Sequence, residues 1–208
     1  MTEHKYQNYN QVEHIFRFAA WSASTAAGSS PLCRFKVEIG AKTLKISDCE
    51  NLCKGINMLP DENFDYWHKQ KCLEIKKNAI SLLEENNQSE KAENFSDGIA
   101  AKLLNCFLKT VFIVQFEDNL SSTNKNKIGV IHPPIDRILL KGIIENLKIL
   151  YDETQIEKKK NFWKKDIKLS WSTYTYKEYN KVIQEIKTIQ NRRDKPLWDI
   201  EWCWKGYQ

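Results

Sequence analysis

Apolar positions recur at helical spacing along most of the chain. Over residues 9–27, Val12, Ile15, Phe16, Ala19, Ala20 and Ala23 fall on one broad stripe, and Gly28 stops it. Small residues within that stripe (Ala19, Ala20, Ala23, Ser24) let another backbone approach closely. Phe35, Val37 and Ile39 alternate with polar neighbours for too few residues to argue for a sheet, so an irregular piece is predicted there. Asp48 or Ser47 is placed to cap a helix running to Met58. Pro60 lies just inside the predicted start of the next helix, which carries Phe64, Trp67, Cys72, Ile75, Ala79, Ile80 and Leu83. Residues 84–93 are polar and read as a surface loop.

Ser96 is a cap ahead of the most apolar segment. Ile99, Ala100, Leu103, Leu104, Phe107, Leu108, Val111 and Phe112 cover most of a helical circumference, which predicts a central helix. Residues 117–127 are Ser/Asn-rich and read as a loop or insertion extending to about 129, ended by Pro133 and Pro134. A helix is predicted over 135–151, with Ile138, Leu139, Gly142, Ile143, Leu147 and Leu150 inward. Thr175 and Glu178 form a capping-box pattern ahead of Tyr179, Val182, Ile183, Ile186 and Ile189. Pro196 introduces an aromatic tail over 196–208 with Trp198, Trp202, Trp204 and Tyr207. The expectation is one compact all-α domain over 1–208, with about six to eight helices.

A hydrophobic content of 41% with 28% charged residues fits an ordinary globular chain and excludes disorder. No stretch approaches the roughly 18 consecutive apolar residues of a membrane span, and the polar N-terminus leads into no signal-type run. A cytoplasmic location with no membrane partner is expected. The formal charge of +5 is unevenly spread. Lys158, Lys159, Lys160, Lys164, Lys165 and Lys168 cluster around Phe162, Trp163 and Trp171, and Arg192, Arg193 and Lys195 form a second group. Basic residues interleaved with aromatics suit a polyanion; a solvated lysine face explains them equally well. Of six cysteines, Cys49 and Cys53 are spaced to share a helical face, but no second pair or histidine completes a zinc site. Reduced structural thiols, no metal and no cofactor are expected.

Two segments carry candidate chemistry. Lys102 lies about one turn inside the helix that Ser96 caps, where the helix N-terminus disfavours an ammonium and Asp97 favours one. Asp136 follows the Pro133-Pro134 turn at the start of another helix, as a first-turn or capping carboxylate. An amine and a carboxylate so held make a nucleophile with a charge-stabilising partner; separately, each is an ordinary surface or capping group.

Gly98-Ile99-Ala100-Ala101-Lys102, followed by Ile135-Asp136-Arg137, resembles the lysine and aspartate segments of the helix-hairpin-helix DNA glycosylase/lyases, especially the compact microbial 8-oxoguanine type. The resemblance implies Lys102 as nucleophile at the sugar C1′, Asp136 as its carboxylate partner, and duplex DNA with an oxidised or modified purine as substrate. It suggests His132, Trp21, Trp202 and Trp204 for the pocket of an extruded base, and Gly98, Lys164, Lys165 and Lys168 for DNA contact. The chain departs from the pattern where Ala100 replaces the second hairpin glycine, and where acidic residues occupy 86–94. The alternative is a non-catalytic helical subunit that binds nucleic acid or protein in a bacterial, phage-defence type of assembly.

Overall fold

In the computed structural model, residues 9–114 and 120–206 are described, and every regular element among them is helical. The all-α expectation holds at that level. Helices α1 (Gln11–Ala27), α2 (Val37–Ile46) and α3 (Phe64–Glu85) lead through short α4 (Ser89–Glu93) to α5 (Asp97–Leu108), which continues as a π-helical turn, Lys109–Ile113. Then come α6 (Ser122–Gly129), α7 (Arg137–Glu145), α8 (Leu147–Leu150), α9 (Ile156–Leu169) and α10 (Tyr176–Arg193). Eight of these run for eight residues or more among the described residues. None is long and apolar enough to cross a membrane.

The central position of α5 follows from its composition. Ser96 Oγ accepts from Ile99 N at 3.1 Å, and nearly every residue from Gly98 to Leu108 is buried. Helix α1 lies along it, with Ala19, Ala20 and Ala23 buried and Phe16 edge-on to Phe107. These small residues let the two backbones approach, as the alanine stripe predicts. Helices α3 and α10 also pack on α5, and α7 packs on α9.

Several local expectations are corrected. Residues 35–39 are not irregular: α2 begins at Val37, because Ile39, Gly40, Thr43 and Leu44 continue at helical period and bury against α1. The helix expected to end at Met58 is two 3-10 pieces, Cys49–Lys54 and Ile56–Met58, separated by Gly55 at φ 141°. Pro60 lies outside α3, whose start is set by Asn63 at φ 55°. The polar stretch 84–93 contains α4, held by buried Ala92. The insertion after 117 is helical from Ser122, where the Ser121 side chain caps α6 and Ile128 anchors it; residues 117–119 lie outside the described residues. The 135–151 helix breaks at Asn146, and Asp136 stands before its first turn. The aromatic tail forms a 3-10 helix, Leu197–Cys203, with Tyr207 outside the described residues. All six cysteines are free, and burial pushes the Cys49 and Cys53 thiols up to about 12, which leaves them protonated and inert.

Candidate active site

Lys102 and Asp136 are brought together across 34 residues of sequence. Lys102 Nζ lies 3.2 Å from Asp136 Oδ2, and the lysine is only 7% exposed, so its head does not reach into solvent. It rests instead on the face of Trp171, 4.4 Å from the ring centroid. Asp136 is the N-cap of α7: its Oδ1 accepts from Leu139 N at 2.8 Å, which leaves Oδ2 for Lys102 and for the Trp204 indole N–H at 3.1 Å. A buried amine and a half-buried carboxylate are thus walled by two tryptophans.

Each tryptophan is seated by a glycine on the helix that carries the charged residue. The Trp171 carbonyl oxygen occupies the place of a Cβ on Gly98, 1.9 Å from where that atom would lie, one turn of α5 before Lys102. The Cys203 carbonyl does the same at Gly142 of α7, at 1.8 Å, and Trp204 is the next residue. The missing side chains let these two backbones close onto α5 and α7. Gly98 is therefore a packing position here: its N–H donates to Tyr174 O at 3.0 Å and is not offered to a phosphate.

The turn that delivers Asp136 is locked by a buried polar network. Asn105, one turn beyond Lys102, donates to Pro133 O at 3.1 Å and to Tyr179 Oη at 2.8 Å. His68 Nε2 donates to Asn105 Oδ1 at 2.8 Å. His132 is wholly buried, with Nδ1 2.9 Å from the Tyr179 hydroxyl and Nε2 3.0 Å from Asp65 Oδ1. Burial holds His132 below the ordinary histidine range against the pull of Asp65, and burial together with the neighbouring His132 does the same to His68. His132 therefore does not line a base pocket as expected, since both ring nitrogens are already engaged. It fixes the turn.

The remaining expected residues divide. Trp204 joins the site through Asp136. Trp202 lies under the Arg193 guanidinium at 5.5 Å, and Trp21 sits beside Phe18 on the face of α1 turned away from α5. No described contact takes either one to Lys102 or Asp136. Lys164, Lys165 and Lys168 are exposed on α9, whose C-terminus leads directly into Trp171. Asp97, expected to favour the Lys102 ammonium, is engaged elsewhere: its oxygens are taken by Lys76 Nζ at 2.8 Å and Tyr176 N at 2.9 Å, tying α3 and α10 to α5.

Comparison with known proteins adds no assignment. No protein-family model, curated protein or solved structure matches the chain.

The site rests on its own geometry, and that geometry includes residues the sequence did not single out. Lys109 ion-pairs with Glu201 from the tail, whose carboxyl burial pushes above the ordinary range despite that lysine. Lys102, Cys106 and Lys109 recur at i, i+4 and i+7, so the pair continues the same face of α5. That spacing was visible in the sequence; the acidic partners were not. Among the described residues no group of three or more His, Cys, Asp or Glu is arranged to hold a metal. The chemistry on offer is that of an amine beside a carboxylate, in a setting where water is scarce and electrostatic effects are strong.

Proposed function

We propose that the protein is a base-excision DNA glycosylase/lyase acting on an oxidised or otherwise modified purine. The observation that carries this reading is the 3.2 Å approach of Lys102 Nζ to Asp136 Oδ2 between Trp171 and Trp204. Passing a proton from the ammonium to Asp136 frees the Nζ lone pair. The Nζ–C1′ bond then forms as the C1′–N bond to the base breaks, and the base leaves with the proton that Asp136 took up, which returns Asp136 to its carboxylate. Opening of the sugar moves the C1′–O4′ electron pair onto O4′, which takes one of the two Nζ protons, and leaves a protonated imine that keeps the other. Loss of the C2′ proton expels the 3′ phosphate and cuts the strand. Asp136 offsets the positive charge that builds on the sugar. The exposed Lys164, Lys165 and Lys168 supply phosphate contacts close to the tryptophan that covers the lysine.

Borohydride trapping on duplexes carrying 8-oxoguanine or an abasic site tests this. Hydride reduction of the imine gives a stable protein–DNA adduct, expected for the wild type and absent for Lys102→Gln. The second reading, a non-catalytic helical subunit that binds nucleic acid or protein, is favoured over the first by the engaged N–H of Gly98, which withholds the backbone phosphate contact that the glycosylase resemblance assigns to it. Absence of any adduct, with salt-sensitive binding intact in Lys102→Gln, would decide for it.

A further inference from the structure

The second basic cluster is used unevenly. Arg192 is engaged by Leu150 O at 2.9 Å and by Gln155, and Arg193 by Asp199 at 2.9 Å and Gln190 at 2.7 Å. The side chain of Lys195, two residues on, has no partner among the described residues. The lysines of α6 divide in the same way. Lys127 anchors the helix on Asp61 and Leu59 O, whereas the Lys125 side chain has no partner among the described residues.

The two unengaged lysines line one cavity of about 620 Å³, between α6, the end of α10 and the start of the tail. That volume lies within the roughly 300–1,000 Å³ of small-ligand sites. Val130, Pro196 and Trp198 contribute its apolar lining, and Asn126 and Asn191 bring exposed amides. Among the described residues Asp194 is the one carboxylate on the rim, so two lysines against it leave a single net positive charge there.

We propose that this cavity binds a nucleotide unit, with its base against the Trp198 and Pro196 lining, the base edge toward Asn126 and Asn191, and its phosphate between Lys125 and Lys195. An apolar wall that includes an indole accepts any base, amides offer both donors and acceptors to its edge, and ammonium groups suit phosphate. The net charge matches a monophosphate or a phosphodiester better than a polyphosphate. The assignment stands apart from the chemistry of Lys102.

Calorimetry with dGMP, with deoxyguanosine, and with the dinucleotide TpT as a stand-in for a strand tests it. For dGMP, the Lys125→Ala/Lys195→Ala variant is expected to bind about tenfold or more weakly, with deoxyguanosine little affected. Asp194→Asn keeps a residue type that tolerates the left-handed backbone at φ 52° and is expected to tighten dGMP binding. Preference for dGMP over TpT would identify a free nucleotide as the ligand, and the reverse a nucleic-acid strand. Equal binding by wild type and the double lysine variant, or no binding of either phosphate ligand at millimolar concentration, would overturn the assignment.

Discussion

Trp204 donates its indole N–H to the same Asp136 oxygen that Lys102 approaches, at 3.1 Å against 3.2 Å. When the lysine leaves that oxygen to bond carbon, the tryptophan remains to hold the carboxylate in place. Trp204→Phe keeps a ring but removes the donor. A hydrogen bond to a charged acceptor is worth about 1.5–3 kcal/mol, so trapping in a single turnover is expected to slow by about tenfold or more. An unchanged rate would remove Trp204 from the proposed machinery.

Lys102 and Asp136 are coupled in stability as well as in chemistry. Asp136→Asn retains an oxygen for the Leu139 N–H but leaves a nearly buried ammonium without its counter-charge. A loss of about 2–4 kcal/mol is expected by urea denaturation, with much of it recovered in Lys102→Gln/Asp136→Asn. Strict additivity of the two substitutions would show that the pair is not coupled.

The glycine seats give a sharper structural test. A methyl group at Gly98 would meet the Trp171 carbonyl, and one at Gly142 the Cys203 carbonyl, both backbone atoms that cannot swing aside. Gly98→Ala and Gly142→Ala are each expected to cost about 2–3 kcal/mol and to abolish trapping by displacing a tryptophan. At Gly129 the nearest atom is Pro196 Cβ at 3.7 Å, so Gly129→Ala should stay within about 0.5 kcal/mol of wild type. Thermal melting of the three variants separates these cases.

Acid weakens the fold through the network behind the site. His68 and His132 are held below the ordinary histidine range by burial, so the unfolded chain takes up protons first as the pH falls. Stability is then full above about 6.5 and declines below it. Asp65, held well below the usual carboxylate range first by its hydrogen bond from His132 and also by Lys187, adds a second decline as the pH falls through about 4. Denaturation between pH 5 and 7.5 should show the first slope, and His132→Gln should flatten it.

Asp166 has the opposite sign. Burial raises its carboxyl from 3.8 to about 6, so the folded chain binds that proton more readily than the unfolded chain. Its contribution therefore becomes unfavourable as the pH rises from about 4 to 6. Asp166→Asn should gain about 1–2 kcal/mol at pH 7.5 and lose that advantage below pH 4. A variant no more stable than wild type at pH 7.5 would contradict this.

The sequence by itself determined the helices whose signals are local. The alanine stripe of α1, the Ser96 cap with the apolar circumference of α5, and the capping box of α10 each lie within a few residues of chain, and each formed where expected. It also singled out Lys102 and Asp136 by their places at helix starts. It misjudged α2 and α6, whose short apolar stripes show their period only against a packed neighbour, and it placed His132 in a pocket because the type of a side chain does not disclose its partners. Tertiary structure alone decided that the amine and the carboxylate meet, that Trp171 and Trp204 flank them rather than Trp21 or Trp202, and that His132 is spent inside the fold. Those outcomes depend on contacts across 34 to 69 residues of chain, set by whether two backbones can close on Gly98 and Gly142. Periodicity reports which face of a helix is buried; only packing reports against what.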